Sequence, residues 1–204
     1  MIGIIDYKAG NAPSVLSAVT HLGYDAELVN TPDRLLEMSH IIIPGVGSAG
    51  ATMNSLKELN LVDAIKTAVL DYKALFLGVC VGMQILFDYS GEEDTDCFGF
   101  LPGKVVCFDR SKVRVPQMGW NKVCFKKGVG YEARDGYFYF VNSYHAVPED
   151  EGHIWGVSEY DGLFAAAVCK ENIFGTQFHI EKSGEAGLKL LNGFLSLKRG
   201  DASC

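Results

Sequence analysis

Cys80 stands in Gly78-Val79-Cys80-Val81-Gly82, between the apolar run Ala74-Leu75-Phe76-Leu77 and the helix-like segment Met83-Gln84-Ile85-Leu86-Phe87. A strand that ends, a chain that turns sharply and a helix that begins lift one side chain into the open at the carboxyl edge of a sheet. That is a nucleophile elbow with Cys in place of Ser. A Cβ on either side would crowd so tight a turn, which accounts for the flanking glycines. A helix starting just past Cys80 would also turn free backbone N–H groups and a positive dipole end toward the sulfur. The competing interpretation is a buried structural cysteine between two packing glycines.

A nucleophilic Cys needs a base, and the base needs an orienting partner. Of five histidines, His21 falls within a helix, His40 starts a strand at the wrong edge of the sheet, and His153 belongs to a polar turn. His145 follows Phe140-Val141 and is a rival. His179 ends Ile173-Phe174-Gly175-Thr176-Gln177-Phe178, at the edge where Cys80 should emerge. Glu181, two residues on, projects to the same side in an extended chain and could hold the second imidazole nitrogen. Taken alone, His-x-Glu is also what a solvated surface pair looks like. The loop Gly45-Val46-Gly47-Ser48-Ala49-Gly50 is G-x-G-x-x-G, but it follows the third strand instead of the first, and Asp71 is misplaced for a ribose contact. An oxyanion hole uses it better: a backbone N–H from Gly45, Val46 or Gly47 could join that of Val81 around a tetrahedral oxyanion. A plain flexible turn is the other interpretation.

These residues need elements to hold them. The pattern predicts strands over 1–5, 26–29, 40–43 and 74–79, and helices over 14–22, 56–72 and from the elbow to about 89. Short, wholly apolar strands separated by helices mean a parallel sheet covered on both faces. From Leu101 the texture changes to strands over 105–108, 122–125, 137–141, 155–159, 164–169 and 173–178 with turns between them, and a helix over 185–197 follows. The fold class is therefore α/β, with a central, mostly parallel sheet flanked by helices and an antiparallel extension in the second half. Without repeat or linker, residues 1–204 read as one domain. Sites in open parallel sheets form outside the carboxyl ends of the strands, where Cys80 and Gly45 both fall.

Composition narrows the function. The chain has 204 residues, 48% hydrophobic and 21% charged, with a net charge of −7. No Lys/Arg cluster exceeds Lys126-Lys127, which argues against nucleic acid as a ligand. The opening residues lack a signal-peptide pattern, and no apolar run nears the ~20 residues that cross a bilayer. Six cysteines without paired spacing fit a reduced, cytoplasmic protein with no disulfide, metal or cofactor. Cys107, Cys124 and Cys169 lie in apolar runs and read as core; Cys204 reads as exposed.

Gly78-Val79-Cys80-Val81-Gly82-Met83-Gln84, Pro44-Gly45-Val46-Gly47 and Gln177-Phe178-His179-Ile180-Glu181-Lys182-Ser183 together resemble the triad-type (class I) glutamine amidotransferases, whose fold is flavodoxin-like. Pro116-Gln117-Met118-Gly119-Trp120-Asn121, Phe140-Val141-Asn142-Ser143-Tyr144 and the opening Ile4-Ile5-Asp6-Tyr7 with Gly10-Asn11 narrow the resemblance. They point to the branch of glutaminase subunits of imidazole glycerol phosphate synthases. The resemblance spans nearly the whole chain. It implies Cys80 as nucleophile, His179 as acid/base and Glu181 as orienter, with Gln84, Glu92 and the backbone of Ser143 and Tyr144 holding L-glutamine. It implies a heterodimer with a (β/α)₈-barrel cyclase, with Tyr139, Lys182, Trp120 and Gln117 toward the interface and the ammonia passage. Gln117 and Asn142 stand where the family usually has His, and Ile180 where it has Pro. A related branch serves a synthase of surface-polysaccharide sugars, and a free-standing cysteine hydrolase or a non-catalytic binding subunit would carry the same elbow.

Overall fold

The chain threads aliphatic strands through helices in its first half and folds back on itself in hairpins in its second. The computed structural model describes residues 1–8, 11–128 and 130–200, so Gly10 and Cys204 lie outside the described residues. Strand β1 (Ile2–Ile5) leads through helix α1 (Ala12–His21) to β2 (Ala26–Val29), and a short α2 (Pro32–Leu36) precedes β3 (His40–Ile43). Helices α3 (Ala49–Glu58) and α4 (Leu61–Lys66) lead to β4 (Leu75–Val79) and α5 (Val81–Gln84). Strands β5 (Tyr89–Ser90), β6 (Thr95–Asp96), β7 (Gly103–Cys107), β8 (Gln117–Phe125), β9 (Gly136–Asn142), β10 (Tyr144–Pro148), β11 (Ile154–Glu159), β12 (Leu163–Lys170) and β13 (Ile173–Thr176) follow, and α6 (Gly184–Ser196) comes after them.

The sheet runs β2-β1-β3-β4-β13-β12-β10-β7-β5-β6. From β2 to β13 every neighbour is parallel; at β12 the pairing turns antiparallel. Strands β1, β3 and β4 are buried at every residue, as layers on both faces require. Phe76, Phe87, Phe138, Phe140, Trp155, Phe174, Phe178 and Phe194 are among the largest fully buried side chains. Removing each such side chain from water stabilises the fold by about 1.5–3 kcal/mol.

Several local expectations change. The helix expected over 56–72 is broken between α3 and α4, where Asn60 takes a left-handed conformation at φ 58°. Asn tolerates that region because its side chain can bond locally, so of the expected stripe Leu59 falls in the break while Val62 and Ile65 lie on α4. Helix α3 begins inside the glycine-rich segment because Ser48 caps it, its Oγ accepting from the Ala51 N–H at 3.2 Å. Pro32 opens α2, unforeseen in the sequence, after extended Thr31. The elbow helix has only four residues, which leaves little dipole to act on the sulfur. Strand β10, also unforeseen, begins straight after β9 across Ser143.

The cysteines differ as well. Cys107 is exposed and Cys124 partly so, because both sit on strand faces turned from the core. Cys169 is buried and disulfide-bonded, against the expectation of no disulfide; spacing along a chain does not encode connectivity. Cys80, Cys97, Cys107 and Cys124 are free. No helix among the described residues is long and apolar enough to cross a membrane.

Candidate active site

Four adjacent parallel strands deliver the site. In the order β1-β3-β4-β13 their carboxyl ends carry Tyr7, the loop from Pro44 to Gly47, Cys80 and His179. The register sets Ile43 opposite Gly78, and Val79 opposite Thr176. Cys80 is held by its own N–H, which donates to the Thr176 carbonyl at 2.7 Å. Its backbone lies at φ 56°, ψ −110°, a conformation costly for a residue with a Cβ and typical of an elbow held by its surroundings. Gly45 and Gly82 permit the close approach of loop, strand and elbow. A Cβ on Gly45 would strike the backbone of Val81 and Gly82, and one on Gly82 the carbonyl of Ile43.

A cleft of about 250 Å³ opens here, lined by Gly45, Val46, Gly47, Cys80, Val81, Gln84, Glu92, Pro116, Val141, Asn142, Ser143, Tyr144 and His179. The nucleophile, base, oxyanion loop and substrate-facing residues expected from the sequence thus line one cavity. Glu181 stands just behind, with Oε1 3.0 Å from His179 Nδ1, and the two side chains are 0% and 4% exposed. The route to that contact differs from the extended chain expected: 180–182 is a 3₁₀ turn, which folds the carboxylate back under the ring. Nδ1 engaged with Glu181 leaves Nε2 for Cys80, which lines the same cleft. Burial alone would drive His179 toward the neutral form, but the bonds and charges of Cys80 and Glu181 outweigh it and raise its pKa to about 9. Burial likewise pushes Glu181 upward, and His179 with Asn11 reverses that, so its carboxyl sits below the ordinary value. An imidazolium braced by a buried carboxylate beside a cysteine sulfur can give and take a proton at one substrate atom.

The rival histidines serve packing. His145 stacks on Phe108 at 4.6 Å and meets Phe164 edge-on, and burial lowers its pKa. His40, at the amino end of β3, packs edge-on against Phe194, and burial lowers its pKa to about 4.

The residues expected to hold glutamine line the cleft, each with partners of its own. Gln84 is buried, and its amide nitrogen donates to the Tyr144 carbonyl and to Gln177 Oε1, both at 3.0 Å. Only its carbonyl oxygen is left for a ligand. The Tyr144 carbonyl also receives Asn142 Nδ2, and the Ser143 carbonyl receives the Phe108 N–H. Glu92 accepts from the Ala49 N–H at 3.0 Å; burial raises its pKa, Ala49 opposes this, and Glu93 adds to it.

Tyr139, Lys182, Trp120 and Gln117 do not line the cleft. Trp120 is 57% exposed and meets Tyr139 edge-on at 6.0 Å. Lys182 is exposed. Gln117 is a correction: it is buried, so its side chain faces inward instead of toward an interface. Strand alternation is the reason, because Gln117 is opposite Asn142 on the inner face while Met118 and Trp120 face out. The carbonyl oxygens of Gln117 and Asn142 are buried without a hydrogen-bond partner in the described structure. Ile180 is fully buried at the start of the turn.

Two residues at the triad had no role assigned from sequence. Asn11 donates to Glu181 Oε1 at 2.6 Å and lies 3.5 Å from His179 Nδ1. It precedes α1 yet makes no side-chain cap bond, and its place before Pro13 would have suggested only a cap. Gln177 Nε2 reaches Cys80 Sγ at 3.7 Å, so Tyr144, Gln84, Gln177 and Cys80 form one buried chain of contacts. Its position two residues before His179 was the available signal.

A doubly covered α/β sheet with a cysteine elbow, a His–Glu pair and a glycine loop at one edge defines a class of enzyme, the triad-bearing cysteine amidohydrolases. Comparison makes that specific. The family described as Glutamine amidotransferase class-I matches residues 3–196, and the chain belongs to it. Among its relatives, imidazole glycerol phosphate synthase subunit HisH 2 of Methanococcus maripaludis is 40% identical over 199 residues, covering 96% of this chain and 98% of the relative. The HisH subunit of Dehalococcoides mccartyi is 42% identical over 207 residues, covering 98% and 99%. Among solved structures, PurLQS from Thermotoga maritima superposes with a TM-score of 0.76 at 18% identity, covering 95% of this chain and 96% of that one. At that identity the likeness speaks for the fold alone.

Proposed function

We propose that the chain is the glutaminase subunit of an imidazole glycerol phosphate synthase, one cytoplasmic domain over residues 1–204. It hydrolyses L-glutamine and hands the ammonia to a (β/α)₈-barrel cyclase that makes imidazole glycerol phosphate and AICAR in histidine biosynthesis. The observation that carries this reading is the one cleft in which Cys80, His179 and the loop Gly45–Gly47 meet; the two relatives that bear the name of imidazole glycerol phosphate synthase subunits support the choice of synthase.

In this mechanism the Cys80 sulfur attacks the side-chain amide carbon, and the carbonyl electrons move onto oxygen. Backbone N–H groups of the glycine loop and Val81 receive that oxyanion. His179 gives its proton to the amide nitrogen, the C–N bond breaks, ammonia leaves and a glutamyl thioester remains on Cys80. His179, now neutral, takes a proton from water, whose oxygen attacks the thioester; glutamate leaves and the sulfur is restored. Glu181 holds the ring through both proton transfers.

The partner reading draws on the outer face of the β8–β9 ribbon. Met118 (67% exposed), Trp120 and Tyr137 (62%) project there beside Tyr139. That patch adjoins the site through backbone, since the His179 N–H donates to the Tyr139 carbonyl at 2.9 Å. Exposed aromatics on a rigid ribbon are the usual anchors of an interface. Glutamate release by the purified chain, with and without the barrel subunit and its acceptor ligand, tests the assignment. A rise of at least about tenfold is expected, part of the ~10²–10³ that one oxyanion donor contributes. Full activity from the chain alone, unchanged by the partner, would overturn it.

A further inference from the structure

Gln177 carries a buried amide that the mechanism does not use. It follows β13 directly, is 0% exposed, and is fixed by its own N–H, which donates to the Ala166 carbonyl at 2.8 Å. One residue earlier, the Thr176 carbonyl accepts the Cys80 N–H at 2.7 Å. The same stretch of chain thus holds the backbone of the nucleophile and sets an amide beside its sulfur, with Gln177 Nε2 3.7 Å from Cys80 Sγ.

Which end of that amide faces the sulfur is dictated by its neighbours. A backbone carbonyl only accepts, so the end of Gln84 that meets the Tyr144 carbonyl at 3.0 Å is its nitrogen. The same nitrogen meets Gln177 at 3.0 Å, so the end of Gln177 facing it is the oxygen. What remains is Gln177 Nε2, turned to Cys80. The Tyr144 carbonyl, on the cleft wall, therefore sets the polarity of three successive contacts that end with an N–H on the nucleophile. The sulfur has a second neighbour of the opposite kind, the Val141 carbonyl at 3.8 Å. A thiol can donate to that carbonyl and a thiolate cannot, while an amide N–H favours the charged form.

We infer that Gln177 is a further catalytic residue, whose side-chain N–H stabilises the Cys80 sulfur whenever that atom is anionic. That is the case twice in one turnover: as the thiolate that attacks the amide, and as the group expelled when the adduct of water and thioester collapses. The inference rests on the proposed glutaminase reading and deepens it, adding a donor on the sulfur to those on the oxyanion. Gln84, which touches Gln177 and not the sulfur, acts here only by fixing the sense of the amide.

The test is Gln177→Met, which keeps the length of the side chain and removes the N–H. Alkylation of Cys80 by iodoacetamide, followed on the Cys80 peptide by mass spectrometry, should reach half its maximal rate about one pH unit higher, the scale of one hydrogen bond to a charged group. In the complex with the barrel subunit, kcat for glutamate release should fall about tenfold with KM for glutamine little changed. A merely structural role would lower the rate without moving the alkylation midpoint, and an unmoved midpoint overturns the inference. The wild-type chain gives a reading that needs neither a folded variant nor turnover. The NMR signals of the Gln177 side-chain N–H protons should titrate with the midpoint of Cys80 alkylation, and that titration should vanish in Cys80→Ala. Signals indifferent to Cys80 overturn the inference whatever reaction the chain performs. A titrating amide in a chain that releases no glutamate, with or without the partner, would keep the donor and reject the glutaminase reading instead.

Discussion

Glu181→Gln is the sharpest single probe of the proton machinery, because it keeps the shape of the side chain and removes only its charge. In the wild-type chain Glu181 Oε1 lies 3.0 Å from His179 Nδ1, with neither side chain more than 4% exposed. At that distance and an effective dielectric of about 20, a carboxylate and an imidazolium attract by about 5 kcal/mol. Desolvation offsets much of this, and a close opposite charge ordinarily moves a pKa by about 1–3 units. His179, held at about 9 with Cys80 and Glu181 in place, should then titrate at about 6–8 in the variant. The influence of Cys80, which remains, keeps it from falling as far as burial alone would drive it.

The assay is an NMR titration of the His179 ring in both proteins, run beside the pH dependence of glutamate release. The rate at neutral pH should drop about 10²–10⁴-fold, the usual share of general acid–base help, as the ring loses its orienter. Stability reports the same pair. His179 has a folded pKa raised above its ordinary value of 6.5, so its contribution is fully present below about 6.5 and is lost as pH rises through about 9. Glu181 has a lowered folded pKa, so its contribution is present above the unfolded value near 4.5 and is lost as pH falls. The wild-type denaturation midpoint should therefore decline between pH 7 and 9, and the variant should show a flatter curve there. A His179 titration unmoved by the substitution would refute the argument that Glu181 sustains the imidazolium.

Two further tests bear on the nucleophile and on substrate binding. Cys80→Ala should abolish glutamine hydrolysis with the fold retained, and a glutamine-analogue electrophile should label Cys80 alone. A general thiol reagent should also modify exposed Cys107, and analogue labelling there would sink the assignment of Cys80. Glu92→Ala should raise KM for glutamine several-fold, since Glu92 lines the cleft. Glu93→Ala, which removes an acceptor of the Ser48 hydroxyl, should shift stability without moving KM; equal KM effects from both would remove Glu92 from the substrate.

What the sequence disclosed follows the range of the interactions involved. Cys80 was legible because a strand, a glycine-flanked turn and a helix start all lie within ten residues, and each element constrains the next. His179 was legible for the same reason, as the end of an apolar strand at the correct sheet edge. The contact of Glu181 with His179 arises by another geometry than the one expected: strand alternation suggested a shared side, while the contact depends on the 3₁₀ turn at 180–182. Helix boundaries failed where a single backbone conformation decided them. Asn60 in the left-handed region ends one helix and starts another inside the segment expected as one, and Ser48 opens a helix inside what reads as a flexible glycine loop.

The residues that support the triad were silent for a different reason. Asn11 meets Glu181 across 170 positions of chain, and Gln177 meets Cys80 across 97. Neither separation leaves a periodicity or a spacing to detect. A local reading sees Asn11 only as a candidate cap for α1, yet its amide goes to the carboxylate of another element. Those contacts exist because β1, β3, β4 and β13 are adjacent and parallel, which brings four distant loops to one edge. The chemistry of a nucleophile and its base is written in local turns. The tuning of that pair is written in strand order, and becomes readable only once the sheet is assembled. Asn11 shows the consequence: its Nδ2 serves a buried carboxylate on another element, while the Ser14 N–H that a side-chain cap would serve donates to the Asn11 main-chain carbonyl. Without that donor the buried Glu181 carboxylate would lose of order 1–3 kcal/mol or beyond, a contribution that no reading of positions 11 to 15 alone can register.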